Sequence, residues 1–142
     1  FLKSRHFEQI PPLVDPDRFN RTFRAYPVHF ITNIPPKCLE RRQRNLKQVG
    51  YDYISAHCAG FVNYEGQPPC TKADVIRELL KEEEQLLFVD DHPGNCVDVH
   101  KAFPEGEVWL MTRPHNQDFE HSGIRRVIHW DDVLESPREA NQ

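Results

Sequence analysis

No stretch of this sequence approaches the ~18 consecutive apolar residues that a membrane-spanning helix needs. The opening residues, Phe1 to Ile10, also lack the apolar centre of a secretory leader. Methionine is nearly missing: the single residue is Met111, and the chain begins Phe1-Leu2-Lys3. The expectation is a processed product or a fragment. Cys-x-x-Cys pairs are absent too. The four cysteines, at 38, 58, 70 and 96, could pair as disulfides, but a chain this large and this well supplied with apolar residues needs no such staples, and His57-Cys58 with Cys70 fits no common zinc pattern. Reduced thiols in a cytoplasmic protein are expected. Positive charge is in deficit, with 18 Lys and Arg against 22 Asp and Glu. That removes the electrostatic basis for a strong nonspecific grip on nucleic acid or anionic membrane.

What remains is enough for one core. Of 142 residues, 38% are hydrophobic, including nine Phe, four Tyr and two Trp, which is the size and content of a single folded domain. Residues 1–14 read as a connector and 136–142 as a frayed tail. Between them, Asp15 to Tyr26 reads as a helix capped by Asp15 or Asp17, with Pro16 in its first turn. Val28 to Ile31 is a short β-rich run. A second helix follows Pro35-Pro36 and runs to about Gln48, with Gly50 as its stop. Its Arg41-Arg42, Arg44 and Lys47 read as a solvated face rather than a nucleic-acid contact. A short strand is expected at Tyr53 to Ser55, then a loop over Gly60 to Cys70.

The second half carries stronger signals. Thr71 caps a helix with Ile76, Leu79 and Leu80 as its buried stripe, and Glu82-Glu83-Glu84 is expected to close it. Leu86-Leu87-Phe88-Val89 is a continuous apolar run of the kind parallel sheets bury on both faces. A helix from Pro93 to about Phe103, strands at Val108 to Met111 and Arg126 to His129, and a last short helix from Trp130 complete the pattern. Helices and strands alternate with short connections. The expected fold is α/β, with a Rossmann-like, mainly parallel sheet flanked by helices.

Ligands of open parallel sheets bind outside the carboxyl ends of the strands. Two such ends carry reactive groups here: Thr32-Asn33 and Asp90-Asp91. Lys72 opens the helix leading into the second. Adjacent carboxylates favour a hard divalent cation such as Mg²⁺. A hydroxyl, a backbone N–H and an ammonium suit a phosphate dianion. Cation plus phosphate cradle is the equipment of phosphoryl transfer. Each group also has a plainer reading: Thr32-Asn33 as a turn, Lys72 as a surface lysine, Asp90 as a helix cap.

Phe30-Ile31-Thr32-Asn33, Lys72 and Phe88-Val89-Asp90-Asp91 resemble motifs II, III and IV of the haloacid-dehalogenase-like phosphatase superfamily, in that order. Val89 to Asn95, Val108 to Met111 with the turn Thr112 to Asn116, and Arg126 to Asp132 are similar to its 5'(3')-deoxyribonucleotidase branch. Phe7 to Leu13 resembles the return from that family's cap to its core. The resemblance implies a Mg²⁺-dependent phosphomonoester hydrolase, nucleotidase-like, in which an aspartate attacks phosphorus and water hydrolyses the aspartyl-phosphate. It implies that Thr32 bonds the phosphoryl group and Asn33 offers its backbone N–H. Lys72 would hold the phosphate, Asp91 ligate Mg²⁺, Asp90 orient the site, and His92 lie near a small phosphorylated substrate such as a nucleotide.

The family's first motif is not matched. Asp15-Pro16-Asp17 is the sole Asp-x-Asp and reads as a helix start. The nucleophile strand and cap are therefore expected to be missing, leaving a sheet edge to be covered by a second copy or a partner chain. Two alternatives stand beside this reading. One is a catalytically inactive relative kept as a binding or regulatory module. The other is a receiver-like phospho-acceptor domain, against which counts that 51 residues follow Asp91.

Overall fold

A computed structural model of the protein describes residues 14–59 and 70–135. The expected connector (apart from Val14), the Phe7 to Leu13 return segment, most of the 60–70 loop and the 136–142 tail lie outside the described residues. The protein is mixed α/β, with small parallel sheets flanked by helices. The chain divides after Cys70 into two compact units. No helix among the described residues is long and apolar enough to cross a membrane.

The first unit opens with α1 (Pro16–Phe23), where Asp15 caps the helix by accepting from the Arg18 N–H at 3.2 Å. That bond makes Asp15-Pro16-Asp17 a helix start, as its sequence reads. The helix ends at Phe23 rather than Tyr26, because Pro27 disfavours helical backbone at the residue before it. Phe19, buried, meets the rings of Phe23, Phe30 and Tyr51 at centroid separations of 4.9, 6.0 and 5.2 Å. Strand β1 (His29–Thr32) leads through a 3₁₀ turn at Pro36–Cys38 into α2 (Leu39–Val49). Gly50 ends α2 with φ at +93°, a conformation that favours glycine, and its N–H reaches the Leu46 and Lys47 carbonyls. The basic run on α2 is not wholly a solvated face. Arg42 is half-buried and donates to the side chain of buried Asn45 at 3.0 Å.

Strand β2 is Ser55–Cys58, further along than the expected Tyr53 to Ser55. Its residues, Ser-Ala-His-Cys, have no β-branched member; pairing with β1 makes them a strand. The pairing is parallel, with His29 opposite Ser55 and Thr32 opposite Cys58.

In the second unit a capping box starts α3 (Lys72–Leu79): Thr71 accepts from the Asp74 N–H at 3.1 Å, and Asp74 from the Thr71 N–H at 3.0 Å. Ala73, Val75 and Ile76 are buried, whereas Leu79 and Leu80 are half-buried. The glutamate run does not close the helix. Leu80 is already extended, and the Glu84 carboxylate bonds the Lys81 N–H to form a separate turn.

Strands β3 (Leu87–Asp90), β4 (Glu107–Met111) and β5 (Arg125–Val127) form a parallel sheet in that order, with α4 (Pro93–Ala102) crossing from β3 to β4. Val108 to Met111 are all buried, as a central strand covered on both faces requires. Val99, Val108, Leu110 and Val127 are sealed from solvent, each contributing about 1.5–3 kcal/mol by burial. Strand β5 stops at Val127 and does not reach His129. The Asp132 carboxylate takes the N–H groups of Ile128 and His129 at 3.2 and 3.1 Å, turning the chain into α5 (Trp130–Glu135).

Bonds from Thr71, first its backbone N–H and then its hydroxyl, hold the Asp74 carboxyl below its ordinary value of 3.8. A depressed carboxyl contributes stability above its unfolded value and loses it as pH falls through the folded one. Asp74→Asn is therefore expected to lower the urea midpoint at pH 7 and to change it little at about pH 2. Thr71→Ala is expected to cost about 1 kcal/mol at pH 7.

Candidate active site

The capping box places Lys72 at the first position of α3, and β3 ends on Asp90. The two side chains meet: Lys72 Nζ lies 2.6 Å from Asp90 Oδ2, with only 12% and 6% of the side chains exposed. An ion pair this dry is specific, and removing one partner strands the other. Asp90 has further donors. Its Oδ1 accepts from the His92 N–H at 2.8 Å, and its Oδ2 from Asn95 Nδ2 at 3.3 Å. Both oxygens are thus engaged, so the Asp90 carboxylate is held in place. The ammonium has three N–H donors. One goes to Asp90, and among the described residues the other two meet no further acceptor.

Asp91 follows with its side chain 53% exposed, its Oδ2 3.7 Å from His115 Nε2. Its backbone is held more firmly than its side chain. The Asp91 carbonyl accepts from Asn116 Nδ2 at 2.7 Å and pairs with His115 Nε2 at 2.9 Å. Asn116 is 2% exposed, and its amide is fully used. Nδ2 also donates to the Met111 carbonyl, while Oδ1 accepts from the Arg113 N–H and from Arg126 Nη1. Arg126 extends the clamp to Thr112 Oγ1 and to the carbonyls of Asn116 and Phe119. The 112–119 turn is thereby tied to the end of β3.

His92 caps α4, its Nδ1 accepting from the Asn95 N–H at 3.3 Å. A ring that accepts at Nδ1 carries its proton at Nε2. Beneath the site, Cys96 is fully buried, and burial, reinforced by the charge of Asp90, pushes its thiol up to about 12. It packs as a thiol and is no nucleophile.

The structure thus groups Lys72, Asp90, Asp91 and His92 at one end of β3. Thr32, half-buried, ends β1 in the first unit, where its carbonyl accepts from the Ala59 N–H at 3.0 Å, and Asn33 follows it, exposed. Nothing in the sequence singles out Asn95, Asn116 and Arg126 as site residues. The available signal was the polar residues lying five after Asp90 and at the end of the turn after β4, which read equally as loop chemistry.

Among the described residues no group of three or more His, Cys, Asp or Glu could hold a metal. Mg²⁺ asks less of a protein, since it keeps several waters and takes one or two carboxylates with substrate phosphate oxygens. Exposed Asp91 fits one such position; Asp90, with both oxygens engaged, does not. A shallow cleft of about 570 Å³ in the same unit is lined by Leu110, Phe119, His121, Ile124 and Arg126 among others, and includes none of Lys72, Asp90 and Asp91.

Lys72→Met and Asp90→Asn should each destabilise the protein, Lys72→Met by about 3 kcal/mol because Asp90 is left buried and charged. The double variant should cost less than the sum by roughly 2 kcal/mol in a urea-denaturation cycle. Additive costs would show that the pair is not energetically coupled.

No family model, no curated protein and no solved structure matches the chain, so the functional reading rests on the geometry around Lys72 and Asp90 and on the motif resemblance.

Proposed function

We propose that this chain is the phosphate- and Mg²⁺-holding part of a haloacid-dehalogenase-type phosphomonoesterase, with a Rossmann-like core and nucleotidase-like substrates. One observation carries the proposal: a nearly buried lysine is fixed by a carboxylate at the end of a parallel strand, keeps two N–H donors, and has an exposed second carboxylate beside it. A fixed ammonium can bind a phosphate dianion without a large loss of side-chain freedom. Asp90 keeps it aimed.

Bound Mg²⁺ would neutralise charge on the phosphoryl group undergoing transfer. Asp91 would supply one oxygen to the ion, with its backbone fixed by Asn116. His92 presents an exposed ring toward a substrate. The attacking aspartate is then supplied from outside these 142 residues. Unpaired sheet edges would be covered by that segment, a second copy or a partner chain. Buried thiols at Cys38 and Cys96 suit the reducing cytoplasm.

The full-length gene product should release phosphate from deoxynucleoside monophosphates with Mg²⁺ and not in EDTA. Lys72→Ala should lower kcat/KM by about a hundredfold or more. Release without Mg²⁺, or an unimpaired Lys72→Ala enzyme, would refute the proposal. No release under any condition, with phosphate still bound, would favour the inactive binding module.

A further inference from the structure

A second polar cluster lies in the first unit, on strands β1 and β2. His29 Nδ1 is 2.6 Å from Ser55 Oγ, and the same oxygen is 2.7 Å from His57 Nε2. The register explains the meeting: His29 is directly opposite Ser55, and His57 lies two residues further along β2. In a parallel pair these three side chains share one face of the sheet. All three are only partly buried. The thiol of Cys58 lies on the opposite face, packed against Ile34 and Cys38.

Two imidazole nitrogens converge on one small atom. The hydroxyl has a single hydrogen, so it can donate to one ring and must accept from the other. It occupies the point at which both ring nitrogens aim. A divalent transition ion binds imidazole nitrogen at about 2.0–2.1 Å. Drawing each ring inward by about 0.6 Å, with the serine rotamer turned aside, would reach that distance from 2.6 and 2.7 Å. Strands hold their side chains in register, so little ordering is needed.

We infer that His29 and His57 form a two-histidine site for a borderline-soft divalent ion such as Zn²⁺, bridging β1 and β2, with water completing the coordination. Imidazole favours Zn²⁺, Cu²⁺ and Ni²⁺ over hard cations. The site is therefore chemically distinct from a Mg²⁺ position at Asp91, and does not depend on the phosphatase reading. Each ring coordinates through the nitrogen that meets Ser55, Nδ1 of His29 and Nε2 of His57; the ring that carries its proton there first exchanges tautomer through water, so that the proton moves to its other nitrogen.

The test is a Zn²⁺ titration of the whole chain, followed by calorimetry and by long-range ¹H–¹⁵N spectra of the imidazoles. The expected result is saturable binding of one ion that shifts His29 Nδ1 and His57 Nε2. His29→Gln and His57→Gln should each weaken it by about tenfold or more, and His121→Gln should leave it unchanged. Substituting Co²⁺ should give ligand-field bands without a sulfur-to-metal charge-transfer band. The spectra of the unmodified chain decide the matter even if a variant fails to fold. No saturable binding, shifts confined to other histidines, or a sulfur charge-transfer band would overturn the inference.

Discussion

The Lys72–Asp90 ion pair is the interaction on which the second unit's site depends. Both side chains are nearly out of water, so neither charge is tolerable without the other. The pair joins the start of α3 to the end of β3. Asp90 also gathers the His92 N–H and the Asn95 amide, which places the start of α4 at the same point. One carboxylate thus positions a lysine and the next helix, and it leaves its neighbour Asp91 facing solvent.

A second constraint acts from the other side. Asn116, buried and with its whole amide engaged, links the Asp91 and Met111 carbonyls to Arg113 and Arg126. Buried polar networks of this kind have little freedom, because any lost partner leaves a desolvated group unpaired. The backbone of Asp91 is therefore held while its carboxylate stays exposed.

The legible parts of the fold were those whose signal is local. Asp15, Thr71 and Gly50 marked helix ends through their own chemistry. The apolar runs ending at Val89 and Met111 read as strands and are strands; Val108 to Met111 are buried on both faces, whereas in β3 only Phe88 is buried. Strand β2 lies further along than the pattern predicts because Ser-Ala-His-Cys carries no apolar alternation and becomes a strand through its partner. Helix α3 and strand β5 are shorter than the pattern predicts for a related reason: the carboxylates of Glu84 and Asp132 divert backbone N–H groups that the pattern alone assigns to regular structure. At the site, Lys72 and Asp90 were legible as two groups at one end of the sheet. The roles of Asn116 and Arg126 were not, since nothing local separates a buried polar clamp from a turn. Nor could spacing show that Ser55 would lie between two imidazoles, which depends on the β1–β2 register.

The central claim is that Lys72, fixed by Asp90, retains donors for a phosphate. The most direct measurement is the ¹⁵N signal of the Lys72 ammonium during a titration with inorganic phosphate in the presence of Mg²⁺. The account predicts a saturable shift of that signal, together with shifts at the Asp91 and His92 amides. A Lys72 signal that stays unmoved while phosphate is in large excess would contradict it.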